Sequence, residues 1–341
     1  MSSATGTMAS AAPEIVQMAT GHIVAQALYV AAELRIADHL ADGPRTAAAL
    51  ADATHADPAA LYRLLRTLTG VGLFTQTADG EFATTPLGES LRSDAPGCAG
   101  AMVRMIAGPT LFRACGELLH AVKTGGTAFD KALGQPVFGY FAEHADEAAV
   151  FNDAMIGFHG SEPPAVAAGY DFSKIGTLID VGGGTGNLLM TILEAYPMVR
   201  GVLYDLPHVV AHARQAIERR GLTARCEVKE GSFFDAIPTG GDAYLMSHII
   251  HDWDEGKCLS ILGNCRRAMG RDARLLLVEM VIPPGDEMHP AKLLDLTMLI
   301  ATGGRERTAD EYRDLYAKAG FELTRVVPTA SPVSVVEGRV A

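Results

Sequence analysis

The sequence predicts an α/β protein in which a parallel sheet, covered by helices on both faces and closed by an antiparallel hairpin, follows a mainly helical N-terminal domain. Beyond Gly176, short β-rich runs alternate with amphipathic helical patterns, which is typical of a parallel sheet. Two further β runs, at 323–329 and 333–340, are joined by Ala330-Ser331-Pro332 and predict one antiparallel strand. Before about Asp94 the pattern is helical.

The N-terminal segment predicts a winged-helix-like unit. An Ala-rich amphipathic stretch covers 15–40, a helix is expected over 57–69, and the runs 73–76 and 81–84 read as a hairpin wing. Such a unit invites a DNA-binding interpretation, but Arg63 and Arg66 are the only obvious basic pair on its second helix. A scaffold that pairs two subunits is the favoured interpretation.

Three segments are predicted: a winged-helix-like dimerisation domain over 1–105, a helical connector over 106–164 that contributes to the substrate pocket, and the sheet domain over 165–341. The β runs of the sheet domain are expected at 177–181, 201–206, 243–250 and 274–281, with helices at 188–195, 208–220 and 255–269 between them.

Composition narrows the class of partners. The formal net charge of −12 argues against nucleic acid and anionic lipid as partners. We expect no apolar run to approach the roughly 18 residues that span a bilayer, so no membrane partner is expected. The five cysteines form no CxxC pair, which favours reduced thiols and a cytoplasmic location. Small molecules and a second copy of the chain are the expected partners.

A glycine-rich turn follows the first β run of the sheet domain, at Asp180-Val181-Gly182-Gly183-Gly184-Thr185-Gly186. Glycines let a backbone turn sharply and approach a ligand closely, but the pattern alone fits either a dinucleotide or S-adenosylmethionine. Asp180 favours the second, because a carboxylate beside the turn suits the α-ammonium of a methionine moiety. An NAD-dependent oxidoreductase is a rival without a recognisable hydride-site pattern.

Two further positions are expected at a nucleoside site. Asp205 ends the second β run, where an acid binds both ribose hydroxyls, although a turn or N-cap role is the alternative. Phe233 lies in Glu230-Gly231-Ser232-Phe233-Phe234-Asp235, after a third β run that comes before the run at 243–250, and it is expected to stack on adenine, with core packing nearly as plausible.

A histidine follows the fourth β run, in Ser247-His248-Ile249-Ile250-His251-Asp252-Trp253. Strand ends line the ligand crevice of such sheets, so His251 is placed as a general base, and its ordinary pKa near 6.5 predicts a neutral ring at pH 7. Glu279 and Glu306 are expected to orient the imidazole and to stabilise its cation.

In these residues the sequence resembles the family 2 O-methyltransferases, of plant caffeate type and of bacterial antibiotic pathways, over nearly its whole length. The resemblance rests on an ordered set of motifs: DVGGGTG at 180–186, DLP at 205–207, HDW at 251–253, VE-x-x-x-P at 278–283 and GG-x-ERT at 303–308. It implies a Rossmann-like class I methyltransferase sheet, a winged-helix dimerisation domain, and His251 as base flanked by Glu279 and Glu306. The donor-site positions that it implies, with Leu206 and Ser247 added, are Asp180, Gly182, Gly184, Asp205, Leu206, Ser232, Phe233 and Ser247. The expected substrate-pocket residues are Phe151, Met155, Phe158, Asp252, Thr297 and Ala301.

Three positions depart from the plant pattern. Ser232 stands where those enzymes have Asp, Ser247 where they have Lys, and Phe158 where they have a polar substrate contact. The last departure puts a caffeate-like substrate in doubt.

The predicted reaction is in-line transfer of a methyl group from S-adenosylmethionine to a hydroxyl of a small aromatic or polyketide-like metabolite, leaving S-adenosylhomocysteine. A phenol is preferred because its pKa near 10 is within reach of a histidine. No metal is expected, since His251, Asp252 and Asp254 lack further ligands. The alternatives are a relative with the same donor site that performs N-methylation, hydroxylation or decarboxylation, and a ligand-responsive winged-helix regulator.

Overall fold

A computed structural model describes residues 8–95, 99–158 and 160–341, so Cys98 lies outside the described residues. The helices are α1 Met8–Ala19, α2 Gly21–Glu33, α3 Ile36–His39, α4 Ala47–Thr54, α5 Pro58–Gly70, α6 Pro86–Glu89, α7 Ala99–Ala107, α8 Pro109–Cys115, α9 Leu118–Thr124, α10 Ala128–Leu133, α11 Val137–Glu143, α12 Ala145–Phe158, α13 Glu162–Gly169, α14 Asn187–Ala195, α15 Pro207–Arg219, α16 Glu255–Ala268, α17 Pro290–Ala301 and α18 Ala309–Ala319. The strands are β1 Phe74–Gln76, β2 Phe82–Thr84, β3 Thr177–Val181, β4 Arg200–Asp205, β5 Cys226–Glu230, β6 Ala243–Ser247, β7 Arg274–Glu279, β8 Val281–Ile282, β9 Arg307–Thr308, β10 Phe321–Pro328 and β11 Ser334–Val340.

The described residues form two compact units. The first takes its residues from 1–113 and 138–160, and the second from 114–137 and 161–341. The division predicted from sequence, at 105/106 and 164/165, stays a prediction.

The first unit contains the expected helix pair and wing. Asp57 caps α5 by accepting a hydrogen bond from the Ala60 amide, and Pro58 occupies the first turn, where its missing N–H costs nothing. Strands β1 and β2 pair antiparallel, with Phe74 opposite Thr84. Buried Leu50, Leu61 and Leu65 pack with the hairpin into one core, which completes the winged-helix-like arrangement.

The first two helices of this unit expose apolar side chains. Ile15, Val16 and Met18 of α1 and Ile23 of α2 are all more than half exposed. The helical segment Ala12–Glu33 is long and apolar enough to cross a membrane by length and composition, so the expectation that no run approached that length was wrong. Length and composition alone are weak grounds for a membrane span.

The second unit is built on a mixed sheet of seven strands in the order β10-β11-β7-β6-β3-β4-β5. Strands β5, β4, β3, β6 and β7 pair in parallel, and β11 runs antiparallel to both β7 and β10. One antiparallel strand contributed by the closing hairpin is what the sequence predicted. The Rossmann-like fold class is confirmed.

Two apolar cores lie on the two faces of this sheet and explain its strand sequences. Leu178 and Leu203 belong to one core, whereas Ile179 and Val181 belong to the other. Because both faces are covered, β3 and β6 are almost continuously apolar and buried. The carboxyl ends of the parallel strands meet at one edge, which is where the candidate site residues follow.

Candidate active site

The glycine-rich turn joins β3 to α14 in the second unit. Gly182, Gly184 and Gly186 have φ of 72°, 57° and 76°, a backbone region that other residues rarely adopt. A Cβ on Gly182 would lie 2.6 Å from Cδ1 of Ile249 and 3.3 Å from a ring carbon of Phe233. The loop therefore depends on glycine both for its turn and for close packing against the segment that follows β6.

Asp180 lies under this loop and is almost completely buried. Its Oδ1 has no hydrogen-bond partner among the described residues. Burial, aided by the negative charge of Asp205, raises the pKa of Asp180 to about 7. A buried carboxylate that lacks a partner favours a cation as its ligand, so this residue fits the α-ammonium of S-adenosylmethionine.

Asp205 ends β4 and binds the backbone of the loop. Its Oδ2 accepts a hydrogen bond from the Gly184 amide at 2.8 Å, and its Oδ1 accepts one from the Leu206 amide at 2.7 Å. A carboxylate has about four lone-pair sites, so both oxygens keep capacity for hydroxyl donors. Leu206 itself is 41% exposed, at the start of α15.

The aromatic residues expected near adenine form a cluster beside the loop. The Phe233 ring lies 4.9 Å from that of Phe234 and 6.4 Å from that of Trp253, between centroids. Asn264 donates hydrogen bonds of 2.8 Å to the carbonyls of Phe233 and Phe234, which holds this turn in place. Ser232 accepts a hydrogen bond from the Phe234 amide, and Ser247 is the last residue of β6.

His251 lies in a short 3₁₀ turn, Ile250–Asp252, and is buried between carboxylates. Its Nδ1 lies 2.6 Å from Oε1 of Glu306 and 3.7 Å from Oε2 of Glu279. Its Nε2 lies 3.7 Å from Oδ1 of Asp252. The three groups predicted as catalytic thus meet in the structure, although they lie far apart in the chain.

The ionisation of this group differs from the expectation. Burial on its own lowers the pKa of His251, but Glu279, Asp252 and Glu306 outweigh burial and raise it to about 10. Burial raises the pKa of Glu279 to about 8; Glu306 adds to this, whereas His251 opposes it. The prediction of a neutral imidazole at pH 7 was wrong, because the surrounding acids favour its cation.

The sequence analysis did not predict a second contact between a histidine and a carboxylate. His248 has a φ of 53°, which is unusual for a residue with a side chain, and its Nε2 lies 2.8 Å from Oε2 of Glu162, at the start of α13. Its ring centroid is 5.1 Å from that of His251. His248 belongs to the segment 247–253 that was considered for its other histidine, but nothing in the local sequence links it to Glu162, which comes 86 positions earlier.

His248, His251 and Glu279 can bring ligand atoms within 4.8 Å of one another, so the described residues include a group of metal-ligand type. A nitrogen of each histidine already meets a carboxylate, Glu162 for His248 and Glu306 for His251. The absence of a metal from the mechanism stays a prediction.

The expected substrate residues belong to different elements. Phe151 and Met155 lie on α12 in the first unit, together with Phe158, whose side chain lies outside the described residues. Thr297 and Ala301 lie on α17 in the second unit, and Asp252 lies beside His251. Whether these side chains line one pocket stays a prediction.

The buried acid under a glycine loop suits an aminoacyl nucleoside, and an imidazole between carboxylates suits proton removal from an acceptor. Fold and site together define a class I methyltransferase whose donor is S-adenosyl-L-methionine. Comparison with known families makes this more specific. Residues 115–322 match the O-methyltransferase domain and residues 16–94 match the O-methyltransferase dimerisation domain, so the chain belongs to this family of O-methyltransferases.

Individual relatives agree with this assignment. The chain is 46% identical to phenazine O-methyltransferase PhzM of Lysobacter antibioticus over 325 residues, 95% of each protein. It superposes on the mitomycin 7-O-methyltransferase MmcR with a TM-score of 0.91 at 38% identity, covering 99% of this chain and 100% of that one. It is also 37% identical to an 8-amino-8-demethylriboflavin N,N-dimethyltransferase of Streptomyces davaonensis, covering 93% of this chain and 92% of that protein.

Proposed function

We propose that this protein methylates a phenolic hydroxyl of a small aromatic or polyketide-like metabolite, within bacterial secondary metabolism, with His251 as the general base. The observation that carries the proposal is the 2.6 Å contact between His251 Nδ1 and Glu306 Oε1, beside buried Glu279. This contact orients the imidazole and leaves Nε2 as the nitrogen that can take a proton.

On the donor side, Asp180 binds the ammonium group and Asp205 binds the ribose hydroxyls while it holds the loop through Gly184. Phe233 provides the face for adenine, and Gly182, Leu206, Ser232 and Ser247 complete the site. The donor supplies an electrophilic methyl group on its sulfonium.

On the acceptor side, the high pKa of His251 matches that of a phenol. A proton passing from a phenol with a pKa near 10 to a base with a pKa of about 10 moves almost without cost, whereas transfer to an ordinary histidine would be uphill. The same pKa means that the resting imidazole is a cation at pH 7, with a proton on both ring nitrogens. The reaction therefore uses either the small neutral fraction of His251 or an acceptor that arrives as phenolate and pairs with the imidazolium.

Asp252, Thr297 and Ala301 of the second unit are our candidates for contact with the acceptor, and Phe151, Met155 and Phe158 stay candidates from the sequence alone. The match to the dimerisation domain supports a homodimer. The acidic charge supports a small-molecule partner rather than nucleic acid or membrane, and the free thiols of Cys226, Cys258 and Cys265 support a cytoplasmic location.

Nitrogen is the second candidate acceptor. It is favoured by the similarity to the riboflavin-type N,N-dimethyltransferase. An aromatic amine is nucleophilic without prior loss of a proton, so a base such as His251 matters less to it than to a phenol.

The test is transfer from labelled donor to a panel of phenols and matched aromatic amines, with wild type, His251→Ala and Glu306→Gln. For a phenol we expect His251→Ala to lower kcat by about 10²–10⁴-fold and Glu306→Gln to lower it less. Asp310→Asn, an exposed acid close by in the chain, is the matched control and should be neutral.

The pH profile adds a second criterion. Wild-type kcat/KM should rise with pH up to about 10, because the protonated imidazole is not a base. The gap between His251→Ala and wild type should narrow as solution supplies phenolate. A fully active His251→Ala enzyme on the best phenol would remove the base from the mechanism and leave alignment alone.

A further inference from the structure

Arg307 is a buried cation that the proposed mechanism does not use. It directly follows Glu306, on β9, which pairs in parallel with β8. Its side chain is completely buried, although arginine is almost never found so without a partner. A charge in this position needs an explanation.

The hydrogen bonds of Arg307 point to two specific peptide carbonyls. Its Nη1 donates to the carbonyl of Arg305 at 3.1 Å and, more weakly, to that of Ile250 at 3.4 Å. Its Nη2 lies 3.5 Å from Sγ of Cys258. Ile250 immediately precedes His251, and Arg305 immediately precedes Glu306, so one guanidinium links the segments that carry the base and its carboxylate.

The same two segments interlock through their backbones. The Ile250 amide donates to Oε1 of Glu279 at 3.0 Å, so the main chain of Ile250 is held at both its N–H and its carbonyl. The Arg305 amide donates to the carbonyl of His251 at 2.8 Å. A Cβ on Gly304 would lie 1.8 Å from that carbonyl oxygen, which shows how closely the segments approach.

Charge gives Arg307 a second reason to be there. Among the described residues no carboxylate oxygen comes within 4.0 Å of its guanidinium. Both its charge and those of the site acids act on Tyr312. Burial, Glu279 and Glu306 raise the pKa of Tyr312 well above its ordinary value, and Arg307 opposes them. The guanidinium therefore opposes the negative charge of both glutamates at Tyr312, while its contact with the site itself is made through the two carbonyls.

We infer that Arg307 is a positioning residue for methyl transfer, which keeps His251 and Glu306 in hydrogen-bonding register by binding the carbonyls that precede them. An apolar side chain of similar size would fill the same volume but would leave both carbonyls without this donor. The inference rests on the proposed role of His251 as base.

Kinetics test the inference with Arg307→Met, which removes the donors, and Arg307→Lys, which keeps a cation but loses the fork. Arg305→Met is the matched control, because that side chain is 47% exposed and pairs only with Glu255 among the described residues. We expect Arg307→Met to lower kcat by about 10²-fold, the scale for small misplacements, with donor Kd within about twofold of wild type. The kcat of Arg307→Lys should lie between those of Arg307→Met and wild type, and Arg305→Met should have the kcat of wild type.

A measurement without substrate separates positioning from general folding. The short His251–Glu306 contact should give a downfield proton resonance in wild type that is missing from His251→Ala and from Glu306→Gln. We expect Arg307→Met to lose or shift this resonance while calorimetry still shows donor binding. If Arg307→Met does not fold, Arg307→Lys decides by the same two readouts.

Wild-type kcat and an unchanged resonance in the folded variant would overturn the inference, and so would a parallel loss of kcat and donor affinity. His251→Ala is assayed alongside. Full activity of His251→Ala would defeat the proposed base, whereas a strong defect there with normal Arg307 variants would defeat only the role given to Arg307.

Discussion

Asp180→Asn should make the protein more stable at neutral and alkaline pH while weakening donor binding. Burial and Asp205 raise the pKa of Asp180 from 3.8 to about 7, so the folded state holds a proton that the unfolded chain has lost between these values. The contribution of Asp180 to stability therefore falls as pH rises from about 4 to 7. The full penalty corresponds to at most about 4 kcal/mol. Asparagine carries no charge and therefore avoids this penalty.

The assay is denaturant unfolding of wild type and Asp180→Asn at pH 5 and pH 8, without donor, together with calorimetric titration of S-adenosylmethionine. We expect the variant to gain stability relative to wild type mainly at pH 8, and to bind the donor at least about tenfold more weakly through loss of a charge-assisted hydrogen bond. Asp272→Asn, at an exposed acid of the same unit, is the control and should change neither quantity. An equal stability difference at both pH values, or undiminished donor affinity, would refute the reasoning.

Three further predictions concern the donor and the subunits. Asp205→Ala should weaken donor binding by about 1.5–3 kcal/mol in a folded protein, since it removes an acceptor for the ribose hydroxyls and for the Gly184 amide. If calorimetry shows unchanged donor affinity, Asp205 does not bind the ribose. Donor binding near pH 6 should release protons, because the ammonium favours ionised Asp180, whereas at pH 8 release should vanish; titrations in buffers of different ionisation enthalpy measure this. The protein should sediment as a dimer at micromolar concentration. Deletion of residues 1–40 should weaken the dimer, because α1 and α2 expose the apolar side chains of Ile15, Val16, Met18 and Ile23. A protein that is monomeric with and without these residues would contradict the prediction of a dimer.

Local chemistry made the sheet and its loop predictable from sequence. Strands covered on both faces must be apolar throughout, so β3, β6 and β7 stand out, and the expected first run, 177–181, has the bounds of β3. Thr308 and Glu311 form a capping box at the start of α18, an arrangement that needs only a threonine three positions before a glutamate. Each of these features depends on residues that are neighbours in the chain.

Features that depend on tertiary contacts were not predictable. The apolar stretch 15–40 reads as one helix, yet it breaks at Thr20 and at Arg35, which has a φ of 50° that nothing in its residue type signals. Glu162 meets His248 only through the fold. The raised pKa of His251 has the same origin, since its strongest charged partner, Glu279, lies 28 positions away in the chain and its hydrogen-bonded partner, Glu306, lies 55 away.

The two halves of the site differ in charge balance, and this makes their roles separable. Among the described residues Oδ1 of Asp180 has no hydrogen-bond partner, and we propose that the ammonium of the donor provides it, whereas His251 already has acids around it that stabilise its cation. Glu279 is the strongest of the charges that raise the pKa of His251, so Glu279→Gln should lower that pKa and move the acid limb of kcat/KM to lower pH, with donor Kd unchanged. Asp180→Asn should raise donor Kd and leave the acid limb in place. Measuring both quantities in both variants tests this separation: if either variant moves both the acid limb and the donor Kd, the two groups titrate together and the division of labour between them fails.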